Sequence, residues 1–160
     1  MRTSGFTLIE MIVVISIVAI LAAIAVPSFS TLLEGRRVRT DAEQVRDLLV
    51  RARQEALQRN APVTVTSQNN VVTAAIPAFG ASAAVELARL QAKGAISNGT
   101  VTLNGSGHTA TPTTFVFSPA HLACKSAGGT ISCFSVQVLT GGAVRLCDSA
   151  LATGATGACL

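Results

Sequence analysis

The chain has 160 residues, with 49% hydrophobic and 12% charged side chains and a formal net charge of +4. An N-terminal helical region takes about 60 residues and leaves roughly 100, enough for one globular core and too few for two. The hydrophobic fraction is raised by a single N-terminal segment, and the mild positive excess does not by itself argue for a nucleic-acid partner.

The first ten residues, Met1-Arg2-Thr3-Ser4-Gly5-Phe6-Thr7-Leu8-Ile9-Glu10, precede an apolar run from Met11 to Val26 that is broken only by Ser16 and stops at Pro27. From Phe6 to Val26 there are 21 residues, about 31 Å of helix, which is long enough to span a bilayer. Glu10 stands at the head of that segment. A carboxylate in a membrane-spanning helix costs roughly 2.5–3.5 kcal/mol on insertion scales, so its presence predicts a partner charge and therefore assembly. Two plainer readings compete. The segment also reads as a secretory signal, with Ala23-Ile24-Ala25 as its cleavage site, but Glu10 then interrupts the apolar region and Arg2 is the leader's one positive charge. A simple membrane anchor leaves Glu10 without a purpose.

Beyond Pro27, Val38, Ala42, Val45, Leu49, Ala52 and Ala56 recur at steps of four and three, which predicts one apolar face of a helix, widened by Leu48 and Leu57. Arginines and acids, among them Asp41, Glu43, Asp47 and Glu55, fill the other faces, where they read as a solvated surface with intrahelical pairs or contacts to neighbouring subunits. Asn60-Ala61-Pro62 ends the helix, while Pro27 and Gly35 are its points of weakness. The pattern then turns to strands. Val63–Thr66 and Val71–Ile76 flank Ser67-Gln68-Asn69-Asn70 as a hairpin. Val101–Leu103, Thr114–Phe117, Ile131–Leu139 and Ala143–Cys147 follow, the last two joined by a turn at Thr140-Gly141-Gly142. Ala83–Lys93 reads as a short helix closed by Gly94, and most of Ser97–Thr114 reads as loop.

Cys124, Cys133, Cys147 and Cys159 all fall in the last 40 residues. An even count in an exported segment reads as two disulfides with three possible pairings, of which the local one, Cys124–Cys133 with Cys147–Cys159, closes the shortest loops. No zinc spacing such as C-x-x-C or H-x-x-x-H occurs.

Catalytic signals are absent from the sequence. His108, in Gly105-Ser106-Gly107-His108, and His121, after Pro119, read as solvated loop residues. Ser106 is not in a G-x-S-x-G elbow, and there is neither a phosphate loop nor a dinucleotide fingerprint. A non-enzymatic protein without cofactor or metal is expected.

Gly5-Phe6-Thr7-Leu8-Ile9-Glu10, the apolar run and Pro27 together resemble the N-terminus of type IV pilins and of the pseudopilins of type II secretion. The resemblance implies cleavage by a prepilin peptidase between Gly5 and Phe6, N-methylation of Phe6, and pairing of Glu10 with the N-terminal amine of a neighbouring subunit. It implies an α+β fold in which a long N-terminal α-helix packs on an antiparallel β-sheet head. Residues 1–5 are then the leader, 6–27 the transmembrane and filament-core helix, 28–60 its amphipathic continuation, and 61–160 the head with a disulfide-bonded tail. It also implies a single pass through the inner membrane, with the N-terminus cytoplasmic and the head periplasmic, and other pilin subunits as partners. The periplasm suits the cysteines, although Arg36, Arg37 and Arg39 beyond the segment run against the positive-inside rule.

Within that class, strands ending in a two-cysteine tail resemble the GspH/FimT group of minor pilins and pseudopilins, with Cys147-Asp148 and Cys159 similar to the FimT tail in particular. FimT-type proteins bind DNA in natural transformation through a G-R-x-R stretch. Here Gly142-Ala143-Val144-Arg145 keeps the second arginine, Arg145, and has Ala143 in place of the first. Two arginines at that spacing on a strand point to one side and grip neighbouring phosphates. Lys125 is a candidate to supplement Arg145. With no Trp or Tyr, base stacking rests on Phe alone. Two readings stay open: a structural filament subunit of a pilus or secretion pseudopilus, and a DNA-binding subunit on the same scaffold.

The mature chain is expected to begin at N-methylated Phe6. Intact-mass and N-terminal analysis of the native protein checks this, and a mature N-terminus at Val26 contradicts both the filament and the anchor readings.

Overall fold

The computed structural model describes residues 7–78, 82–152 and 154–159. Its first element, helix α1, runs Leu8–Arg59, and the chain divides between Leu33 and Glu34 into two compact units.

In the first unit α1 is apolar on every side. Ile9, Ile15 and Leu21 are all more than 60% exposed, the state of a helix whose surroundings are lipid or other helices. One helical window here, with mean hydropathy 2.9, is long and apolar enough to cross a membrane. The Thr7 hydroxyl caps the helix start by accepting the Glu10 backbone N–H at 3.3 Å. Ser16 satisfies its hydroxyl within the helix by donating to the Ile12 carbonyl at 2.7 Å, so this polar residue brings no unpaired group into the segment.

The second unit is the head. Here one stripe of α1, formed by Val38, Ala42, Val45, Leu48, Leu49, Ala52 and Ala56, is buried. Leu57, expected on that stripe, is 48% exposed, because the helix ends two residues later and Asn60 turns the chain away with φ +49°. The stripe packs into one core with side chains of two four-stranded antiparallel sheets. The strands are β1 Val63–Gln68, β2 Val71–Ile76, β3 Val85–Gln91, β4 Ala95–Ile96, β5 Gly99–Leu103, β6 Thr113–Ser118, β7 Phe134–Val138 and β8 Val144–Asp148. The first sheet has the order β3-β2-β1-β5 and the second β4-β6-β7-β8. Alternation sets the inward faces: Val63 and Val65, Val72 and Ala74, Val101 and Leu103, Phe115 and Phe117, and Val136 and Val138 are all buried.

The β1–β2 hairpin turns on Asn69 and Asn70, with φ +51° and +62°, two left-handed residues whose twist matches the flanking strands. The Asn70 side chain then accepts the Ile96 N–H at 3.1 Å and fastens the turn to β4. Val101–Leu103, expected as a strand, is the end of β5, which begins two residues earlier at Gly99 and pairs along β1.

Ala83–Lys93 is not a helix. It holds β3, an edge strand paired with β2 from Val85 to Gln91. Ala74 faces Ala88 and Ala75 faces Glu86, so Leu87 is an extra residue, a bulge. The bulge turns both Leu87 and Leu90 toward the core, and their spacing of three imitates the period of a helix.

Asp41 also differs from its expected solvated position. It is 4% exposed and lies within the apolar stripe, between Val38 and Val45. Its carboxylate accepts the backbone N–H groups of Lys93 at 2.9 Å and Gly94 at 2.8 Å, which joins α1 to the turn between β3 and β4. Gly94 also lies close against β6, since a Cβ there would sit 2.9 Å from the Ser118 carbonyl oxygen. Asp41→Ala leaves two largely buried N–H donors without an acceptor and is expected to cost about 2–4 kcal/mol. Asp41→Asn, which keeps an acceptor oxygen, costs less. Urea midpoints of the detergent-solubilised variants check the order.

Candidate functional site

Two places carry the candidate residues. At the first, Gly5 and Phe6 lie outside the described residues. Glu10 sits in the first turn of α1, exposed, and no cation among the described residues pairs with it.

The second place is β8 and the tail that follows it. The turn between β7 and β8 is closed by the Gly142 N–H to the Leu139 carbonyl at 2.7 Å and the Leu139 N–H to the Ala143 carbonyl at 3.0 Å. Gly142 has φ +72° and lies against the Gly107 carbonyl oxygen, so no side chain fits there. From below, Arg53 of α1 donates to the Gly141 carbonyl at 3.3 Å. The strand leaving this turn exposes Ala143 and, two residues on, Arg145, which stands opposite Gln137 of β7. The next residue on that side, Cys147, is buried.

The tail folds back along β8. The Asp148 N–H donates to the Gly157 carbonyl at 2.8 Å, Asp148 bridges to Ala158, and a disulfide joins Cys147 to Cys159 with 5.0 Å between Cα atoms. A second disulfide, Cys124–Cys133, spans 5.4 Å between Cα atoms. The backbone N–H and hydroxyl of Ser149 donate to the Cys133 carbonyl at 3.1 and 3.0 Å, which ties the two bridged segments together.

Between tail and helix lies an open groove of about 340 Å³, lined by Arg46 of α1, Gln137, the β8 residues Val144–Cys147, and Gly157 and Ala158 of the tail. Arg145 and Arg46 both line it. Lys125 does not line it: it begins a single 3-10 turn, Lys125–Ala127, after Cys124. In the sequence Arg46 is one of the interleaved helix charges and reads as part of a solvated face. The usable signal was the seven-residue spacing of Arg39, Arg46 and Arg53, which puts them on one helix face. In the structure Arg39 lies 6.0 Å from the centroid of Phe134 at the start of β7, and Arg53 reaches the turn at its end.

A larger groove, about 680 Å³, runs between α1 and β3. Asp47, Glu55 and Glu86 alternate there with Arg51, Arg59 and Arg89 over a floor that includes Leu48, Ala52 and Ala74. Three helix pairs are formed, Arg37–Glu34 at 2.7 Å, Arg39–Glu43 at 2.8 Å and Arg59–Glu55 at 2.7 Å, each worth a few tenths of a kcal/mol at an exposed site. Ser106 donates its hydroxyl to the Asn104 side chain at 2.8 Å, and His108 Nδ1 lies 2.9 Å from the Ser106 carbonyl, so both belong to one local loop. His121 is exposed elsewhere. Among the described residues no three His, Cys, Asp or Glu side chains gather to hold a metal.

A model of the prokaryotic N-terminal methylation motif matches residues 1–26, and the model described as type II transport protein GspH matches residues 41–158. Two crystal forms of the type IV minor pilin FimU of Pseudomonas aeruginosa have a similar fold. One is 14% identical with a TM-score of 0.57, covering 74% of this chain and 94% of that one. The other is 16% identical with a TM-score of 0.55, covering 72% and 97%. The shared architecture is the α+β pilin fold of a long N-terminal helix and antiparallel sheets. Comparison with curated proteins gave no match.

The head is expected to contain no free thiol. Labelling under denaturing, non-reducing conditions should leave all four cysteines unmodified, and peptide mapping should link Cys124 to Cys133. Each closed loop contributes up to about 3 kcal/mol in the entropic account, so Cys147→Ser with Cys159→Ser should lower the urea midpoint. Stoichiometric labelling contradicts this.

Proposed function

Because the chain belongs to the GspH family of type II transport proteins, matched over residues 41–158, and carries the N-terminal methylation motif, we propose that it is a non-enzymatic minor pilin or pseudopilin, a structural subunit of a type IV pilus or a type II secretion filament. The observation that carries this is Glu10: a carboxylate in the first turn of a helix that is apolar on every side through Ala25, with no cation beside it among the described residues. The chain waits in the inner membrane with the N-terminus cytoplasmic and the head periplasmic. A prepilin peptidase cuts between Gly5 and Phe6 and leaves a charged amine on Phe6. The Glu10 carboxylate of one subunit then neutralises the Phe6 amine of its neighbour.

Physical chemistry makes such a pair a register device. Each charge alone is unfavourable in lipid, and a desolvated pair is favourable only in good geometry. Subunits slipped along the filament leave both charges unmatched. The apolar surface around the helix supplies adhesion without direction, and Glu10 supplies the direction. The head then decorates or caps the filament.

The second reading is a DNA-binding subunit for uptake. What favours it is the exposure of Arg145 in a groove whose lining, among the described residues, contains no acidic side chain.

Glu10→Ala is expected to leave membrane insertion intact or improved while incorporation into filaments falls several-fold. Crosslinking to filament subunits, with membrane fractionation in parallel, measures both. Undiminished incorporation contradicts the register role.

A further inference from the structure

We propose that Arg46 is the second guanidinium of a phosphodiester-binding groove in which Arg145 is the first, so that a helix residue replaces the strand arginine that Ala143 lacks. This rests on the DNA reading of β8. Arg46 comes from α1 and Arg145 from β8, and both line the one groove beside the tail.

The neighbours of Arg46 single it out. One heptad earlier, Arg39 is bound to Glu43 at 2.8 Å and lies over Phe134. One heptad later, Arg53 is tied to the Gly141 carbonyl. Arg46 and Arg145 make no hydrogen bond or ion pair among the described residues, so both guanidinium forks are available to a ligand. Two like charges facing one groove repel each other, and an anion shared between them removes that repulsion. The planar fork of each suits a pair of phosphate oxygens.

Charge separates this groove from the other one on the same head. The groove between α1 and β3 sets three acids against three arginines, whereas among the described residues the groove at β8 holds two arginines and no acid. Among the described residues no aromatic ring lines the β8 groove, so it grips the backbone of a strand and not its bases, and binding carries no sequence preference. Its outer wall is the tail, held by the Cys147–Cys159 disulfide and the Asp148–Gly157 hydrogen bond.

The test uses the full chain in zwitterionic nanodiscs, titrated with labelled mixed-sequence DNA duplex at several salt concentrations. Wild type is compared with R145Q, R46Q, R46K and R51Q, the last in the groove of mixed charge. R46Q and R145Q should each weaken binding several-fold and each lower the slope of log affinity against log salt by about one. R46K should keep the slope, which shows that lost charge and not lost folding explains R46Q, and R51Q should match wild type. If R145Q weakens binding and R46Q does not, the role of Arg46 is overturned and the DNA reading stands. If wild type shows no salt-sensitive binding, both are overturned. An equal loss in R51Q, or capture of anionic-lipid nanodiscs without duplex binding, overturns the groove as a nucleic-acid site.

Discussion

The head depends on one contact, the burial of a single stripe of α1 in the core shared by both sheets. Val38, Val45 and Leu49 are fully buried there with Phe115, Phe117, Val136 and Leu103. Three members of the stripe, Ala42, Ala52 and Ala56, are small, which lets the strands lie close to the helix. Truncating a fully buried side chain such as Leu49 in a close-packed core costs about 2–5 kcal/mol, a large part of the stability of a domain this size. The sheets also meet directly, where β5 passes β6 and Gly99 lies against the Phe115 ring, and the helix stripe joins both in one core.

Such a small core, built largely of Val and Ala, is reinforced by polar and covalent ties at its margins. Asp41 holds the β3–β4 turn through two backbone donors, Asn70 holds β4 to the first hairpin, and Arg53 holds the β7–β8 turn. The last 40 residues contain little regular structure after β8 and are fixed by two disulfides joined through Ser149. An exported domain can use such bridges where apolar burial is limited. The β8 groove is a consequence: its floor is strand, one wall is helix, and the other is a tail that stays in place because it is crosslinked.

Much of this fold was legible in the sequence because it rests on local periodicity. Steps of four and three from Val38 to Ala56 marked the buried face, and Asn69-Asn70 between β-branched runs marked the hairpin. What escaped depends on partners distant in the chain. The bulge at Leu87 gives an edge strand a helix-like spacing, and the β2 residues that create it are more than ten positions away. Asp41 stands on the apolar stripe by spacing, yet the donors that make it tolerable, Lys93 and Gly94, belong to another element. Arg145 stands out in the sequence by its motif, while Arg46 comes to the same groove only where the helix passes β8. Glu10 is the reverse case: the sequence alone shows an acid where an acid is costly, and no cation among the described residues pairs with it.

One helix thus carries the acid of the apolar segment and the buried stripe of the head, and in the proposed account the first sets register between subunits. The most direct measurement of that account is mass spectrometry of filaments sheared from cells and purified away from membranes. Head peptides should be present, in amounts far below the major subunit, together with an N-terminal peptide that begins at methylated Phe6. Recovery of the head in the soluble periplasmic fraction, with none in the filaments, contradicts it.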